Sequence, residues 1–238
     1  MSDNKLETPN ADKKLRILTN VLKTALQVWL RSQVSQISQL KVEMKASDRQ
    51  ILSGYIPWVA IYASHAVYKN FHLRQIQLEA ENIRINIASI LKGQPLQLLE
   101  TVPVTGKITV EQDDLNASLS SALLTSALNE LLDTLLPEQR SSSQSIVWQK
   151  ILLGDGQFTL YFSPSWPIDS PWIKICVGLK LLNNNELQIT LLNNDENRPV
   201  AQESENRHTL SLGSEVDIKQ LQLVPGKVIC RGRINVNP

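Results

Sequence analysis

Between residues 41 and 110 the side chains alternate with a period of two. Val59, Ile61 and Ala63 are interleaved with Trp58, Ala60 and Tyr62, and Ile76, Leu78 and Ala80 with Gln75, Gln77 and Glu79. Ile83, Ile85 and Ile87 then face away from Asn82, Arg84 and Asn86. Successive side chains of a strand point to opposite faces, so this spacing predicts half-buried antiparallel strands with polar outer faces. Tyr68-Lys69-Asn70 reads as a hairpin turn and Lys92-Gly93-Gln94-Pro95 as a second break. Val104, Ile108 and Val110 close the run as a further strand. The last third returns to strand at 146–153, 157–162, 172–181, 186–192, 216–224 and 228–236, with Gly154-Asp155-Gly156, Asn183-Asn184-Asn185 and Pro225-Gly226 among the turns. Residues 193–206 hold almost no apolar side chain and read as a loop.

Two stretches carry helical spacing instead. In 12–40, Asp12 stands at an N-cap position, and Leu18, Leu22, Ala25 and Trp29 recur at intervals of four, three and four. At roughly 100° per residue, Lys13, Arg16, Lys23 and Arg31 share one narrow arc opposite the apolar side chains. Such a helix either packs into a groove of its own protein or lies on a membrane with its cations at the headgroups. Residues 111–136 read as one helix, begun by Thr109 or Glu111, with Asp113 and Asp114 where acids meet the positive end of the helix dipole. Leu115, Leu119, Leu123, Ala127 or Leu128, Leu131 and Leu135 form its apolar stripe, and Pro137 ends it. The polar, serine-rich segment 137–145 reads as a hinge. The order helix, strands, helix, strands suggests two related halves.

Hydrophobic residues are 42% of the chain and charged ones 20%, enough to bury a core. The longest apolar run, 58–63, falls far short of the roughly 18 residues a membrane helix needs. The first fourteen residues are polar and lack the apolar segment of a signal peptide. Lys and Arg number 24 against 23 for Asp and Glu, a balance that argues against nucleic acid as a partner. The charge is uneven, however: +4 over residues 1–45, +2 over 46–110, −5 over 111–145 and zero thereafter. A basic front end suits a molecule that presents one face to an anionic membrane surface. Solvated faces that merely differ in sign give the same count.

Catalytic and metal constellations are not evident. His65, His72 and His208 stand in no His-x-x-His, His-x-His or His-Glu-x-x-His spacing, so no metal site is expected. There is no Gly-x-Ser-x-Gly elbow, and neither Cys176 nor Cys230 is flanked by a convincing base. The two cysteines are expected as reduced thiols. Gly154-Asp155-Gly156 lacks the rest of a dinucleotide fingerprint. Asp113 and Asp114 are neighbours on a helix and point about 100° apart, which suits one cap and one solvated acid rather than an acid pair. Trp29, Trp58, Trp148, Trp166 and Trp172 suit a membrane interface and a core equally. No catalytic residue and no cofactor are assigned, and the chain is expected not to be an enzyme.

An ordered series of short segments carries a family likeness. Asp48-Arg49-Gln50-Ile51-Leu52-Ser53-Gly54 is followed by Ser64-His65-Ala66-Val67-Tyr68, Glu81-Asn82-Ile83-Arg84-Ile85-Asn86, Leu91-Lys92-Gly93 and Pro103-Val104-Thr105-Gly106. Asp113-Asp114-Leu115-Asn116 and Ser121-Ala122-Leu123-Leu124 continue it. Leu221-Gln222-Leu223-Val224-Pro225-Gly226 and Gly232-Arg233-Ile234-Asn235-Val236-Asn237-Pro238 close it. Over roughly residues 40–236, densest at 47–124, the chain resembles the LmeA-like phospholipid-binding family of bacteria. The resemblance implies an α+β fold in which an elongated curved antiparallel sheet wraps long amphipathic helices, similar to tubular lipid-binding proteins, with an apolar groove for acyl chains between them.

The expected organisation is a polar tail at 1–11 and a single elongated lipid-binding domain at 12–238, hinged at 137–145. Leu22, Trp29, Leu115, Leu119 and Leu123 are the candidate groove residues. Lys13, Arg16, Lys23 and Arg31 are the candidates for the membrane surface. The expected function is a non-enzymatic one, holding or shuttling phospholipid at a membrane. The alternative is an interaction scaffold with no lipid ligand. Exported relatives carry an N-terminal membrane or signal segment, whereas this sequence opens on a polar tail, which favours a peripheral place on the cytoplasmic side.

Overall fold

A computed structural model of the protein describes residues 17–90, 92–136, 146–165, 171–192 and 207–238. The polar tail at 1–11, Lys13, Arg16, Trp166, the hinge expected at 137–145 and the loop expected at 193–206 lie outside these residues.

The alternating segments form two antiparallel sheets. Strands β1 (Gln39–Lys45), β2 (Tyr55–Tyr68), β3 (Phe71–Arg84), β4 (Val102–Glu111), β10 (Val216–Val224) and β11 (Lys227–Val236) make the first, in the order β1-β2-β3-β4-β11-β10. Strands β5 (Ile146–Leu153), β6 (Gln157–Pro164), β7 (Ile173–Asn183), β8 (Glu186–Leu192) and β9 (Arg207–Ser211) make the second, in chain order. The longest hairpin, β2–β3, turns at the expected Lys69-Asn70, both left-handed with φ of 48° and 63°. A two-residue turn of that kind matches the right-handed twist of its strands. Strand β10 adjoins the second sheet: Gly156 N, in the β5–β6 turn, donates to Leu223 O at 3.1 Å.

The helices correct the expected fold class. Instead of long amphipathic helices wrapped by one curved sheet, the described residues hold five helices of 4 to 17 residues beside a predominance of strand. They are α1 (Ile17–Gln33), α2 (Asp48–Leu52), α3 (Ile87–Ile90), α4 (Gln112–Ala117) and α5 (Ala122–Leu135). Helix α1 stops at Gln33 because β2 captures the following chain. Ser35 N donates to Val67 O at 2.9 Å and Ser38 N to Ser64 O at 3.1 Å, so residues expected to be helical up to 40 lead into β1.

The helix expected at 111–136 is two. Of the two expected starts, Thr109 and Glu111, Glu111 is the N-cap, but Ser118 and Ser121 break the helix. Both serines are fully buried. Ser118 Oγ donates to Asp114 O at 2.6 Å and accepts from His72 N at 2.8 Å, while Ser121 Oγ caps Leu124 N at 3.2 Å. Serine hydroxyls that satisfy backbone groups locally compete with helix continuation and start the next helix. The break resets the inward stripe of α5 to Leu124, Leu128, Leu131, Leu132 and Leu135.

Each longer helix covers its own sheet. Leu22, Leu26 and Leu30 of α1 pack with Val42, Ile51, Val59, Ile83, Ile85 and Val102 in a first core. The α5 stripe packs with Trp148, Ile151, Leu160, Phe162, Val177 and Ile189 in a second. Helix α4 is fastened to the edge strand β5 by side-chain amides. Ile151 N donates to Asn116 Oδ1 at 2.8 Å, Asn116 Nδ2 donates back to Ile151 O at 2.9 Å, and Leu153 N donates to Gln112 Oε1 at 2.9 Å. The amides thus occupy backbone groups that an open edge would leave to another strand.

Candidate functional site

The pairing register fixes which side chains share the inner face of the first sheet. One row across it runs Val42, Ile61, Leu78, Gly106, Gly232 and Ile218. The rows on either side run Met44, Val59, Ala80, Val104, Ile234 and Val216, and Leu40, Ala63, Ile76, Ile108, Cys230 and Leu221. All three rows are apolar from edge to edge. The first core, which α1 closes over β1 and β2, takes in Leu40, Val42, Met44, Val59 and Ile61 and reaches Ala80 on β3 and Val104 on β4.

Past these residues neither core extends, among the described residues, over the rest of the rows. Ile76, Leu78, Ile108, Ile218, Leu221 and Cys230 are half-buried, Ile234 is 47% exposed, and neither core, as built from the described residues, includes them. At the centre of this strip Gly106 and Gly232 face each other across β4 and β11. A Cβ on Gly232 would stand 2.7 Å from Asp217 O, and one on Gly106 2.9 Å from the Leu78 side chain. The paired glycines therefore leave the strip without side-chain bulk at its middle. Burial pushes the Cys230 thiol above its ordinary range, because an apolar setting disfavours the charged thiolate.

Helix α1 adds a second exposed apolar surface. Val21, Val28 and Trp29 are 58%, 62% and 45% exposed, and their spacing puts them on one side of the helix. Lys23 is half-buried and Arg31 exposed. At roughly 100° per residue the two cations lie on the other side of the inward Leu22, Leu26 and Leu30 stripe or beyond it. At the far end of the strip, Arg74 on β3 binds Glu111 at 2.8 Å and Asp114 at 3.1 Å, and its guanidinium lies 2.7 Å from His65 Nε2. This cluster pins the N-terminus of α4 to the first sheet.

The five candidate groove residues are not brought together. Leu22 lies in the first core, and Leu115 and Leu119 pack half-buried against the second. Trp29 faces outward, and Leu123, expected on the inward stripe, is 47% exposed because of the break at Ser118–Ser121. Lys23 and Arg31 share α1. The strip residues of β3, β4, β10 and β11 were not singled out from sequence, although Ile76, Leu78, Val104 and Ile108 carry the period-two signal that marks their face. Among the described residues no three His, Cys, Asp or Glu side chains gather to hold a metal ion, and no helix is long and apolar enough to cross a membrane.

Neither a curated protein nor a solved structure matches the chain. The model of one family, LmeA-like phospholipid-binding, matches residues 14–233, nearly the whole sequence. The chain belongs to the LmeA-like phospholipid-binding family.

Proposed function

We propose that the protein holds or shuttles phospholipid at a membrane surface, with acyl chain laid along the uncovered apolar strip of the first sheet. The observation that carries this reading is the strip itself: three apolar rows that continue past α1, where Ile76, Leu78, Ile108, Ile218, Leu221 and Cys230 join neither core among the described residues. Each buried methylene contributes about 0.8 kcal/mol, so ten methylenes on the strip supply about 8 kcal/mol before the costs of association. The paired Gly106 and Gly232 give the chain a shallow bed. No covalent chemistry is required of the protein.

Helix α1 is the element proposed to meet the bilayer. Its exposed Val21, Val28 and Trp29 suit the acyl boundary, and Lys23 and Arg31 suit anionic headgroups, with Lys13 and Arg16 expected to add to them. Leu22, Leu115 and Leu119 act in this reading as the packed supports on either side of the strip rather than as its lining. The test is an Ile108→Glu variant, which sets a charge in the strip while leaving both cores intact. It should fold as the parent does and retain no phospholipid after detergent-free purification. Undiminished lipid in a folded variant would exclude the strip, and absence of lipid from the parent too would leave the scaffold reading.

A further inference from the structure

The opposite, polar face of the first sheet carries a feature that the acyl strip does not explain. A cavity of about 590 Å³ opens over β3, β4, β11 and β10, with Glu79, Lys107, Asp217, Lys219, Arg231 and Arg233 around it. Four cations thus face two carboxylates. Asp217 is already engaged: Lys219 Nζ lies 2.9 Å from its Oδ1, outside hydrogen-bonding alignment and so as an ion pair, and Arg233 is 3.8 Å from its Oδ2. Residues 217 and 219 share a face by strand alternation, and Lys219 is the extra residue of a β-bulge between Ile218 and Gln220.

The remaining pair shares the cavity with Glu79 but forms no ion pair with it. Lys107 and Arg231 stand directly opposite each other on β4 and β11, and neither has a carboxylate within ion-pair distance among the described residues. Like charges directly opposite in an antiparallel pair destabilise the sheet. Here the sheet holds them at the wall of a cavity, beside Thr105 and Gln77, which add neutral hydrogen-bonding groups. A guanidinium fork next to an ammonium is the donor set that a phosphate oxyanion takes up, the fork binding two oxygens and the ammonium a third.

We propose that this cavity is a phosphate-binding site, supplied by a lipid headgroup at the membrane or by a soluble phosphate. It lies across the sheet from the acyl strip, so its occupant is distinct from a lipid held there. The test titrates inorganic phosphate into the full chain by calorimetry, against chloride at matched ionic strength, for the parent, Lys107→Gln and Arg231→Gln. In parallel, the three proteins are sedimented with phosphatidylcholine vesicles with and without phosphatidylglycerol.

Each substitution should weaken phosphate binding about tenfold or more, as loss of a charge-assisted bond does. Because each also removes a like-charge repulsion, neither should lower the unfolding temperature in phosphate-free buffer. A matching loss of binding to the anionic vesicles assigns the phosphate to a headgroup, and unchanged vesicle binding assigns it to a soluble source. Variants that take up phosphate and vesicles as the parent does would overturn the site. Lipid retained on the acyl strip should be the same in all three proteins, so failure here is separable from failure of the strip.

Discussion

Asn116 should be among the most costly polar side chains to remove. Its Nδ2 donates to Gln112 O at 2.7 Å and Ile151 O at 2.9 Å, and its Oδ1 accepts from Ile151 N at 2.8 Å. Ile151 is only 3% exposed, so water cannot replace the lost partners. Asn116→Leu keeps the volume and leaves both Ile151 backbone groups unpaired. An unsatisfied buried group costs about 1–3 kcal/mol, which gives about 3 kcal/mol for the pair. In a chain of this size each kcal/mol moves the unfolding midpoint by roughly 2–4 °C, so the expected fall is about 6–12 °C. Urea denaturation gives the free energy, and amide hydrogen exchange at Ile151 localises it. Asn116→Asp, which keeps the acceptor but loses the donor, should fall between the two. A change below about 0.5 kcal/mol, with Ile151 still protected, would refute the claim that α4 is fastened to β5 by this amide.

Leu119→Gln should destabilise by about 2 kcal/mol, since Leu119 packs on the second core, whereas Leu123→Gln should stay within about 0.5 kcal/mol; equal losses in urea melts would contradict the break at Ser118–Ser121. Cys230 should react with a small alkylating reagent more slowly than free cysteine at pH 8, because its raised pKa keeps the thiol protonated, and the rate should climb as pH rises through that shifted value. Added phospholipid should slow the reaction further, and mass spectrometry of the modified peptide separates it from Cys176. Reversing the charge of Lys23 and Arg31 together should cut co-sedimentation with anionic vesicles and flatten its salt dependence, each surface cation being worth about 1 kcal/mol. Vesicle binding that ignores both the substitutions and the salt would remove α1 from the membrane-facing surface.

The strands were legible because alternation is a local signal, and the β2–β3 hairpin in particular was marked by Asn70, a residue type that tolerates the left-handed turn. Strand β9 was not, since Arg207–Ser211 is a mostly exposed edge with one leucine and no alternation to read. The two helix errors have different causes. Leu115, Leu119 and Leu123 keep helical spacing straight through the break, so leucine periodicity cannot reveal that Ser118 and Ser121 stop one helix and cap the next. The end of α1 depends on backbone bonds to β2, a partner distant in sequence. The site was half legible for the same reason: the apolar face of β3 and β4 is local, but its uncovered state depends on where α1 stops, and the Gly106–Gly232 pairing on how β4 meets β11.

Native mass spectrometry of the full chain, purified without detergent, tests the central claim most directly. The account predicts a population heavier than the bare polypeptide by the mass of a phospholipid, released on collisional activation and recovered by solvent extraction. It also predicts that this population disappears in Ile108→Glu while the charge states of a folded protein remain. A parent protein that carries no phospholipid, even after incubation with vesicles, would contradict it.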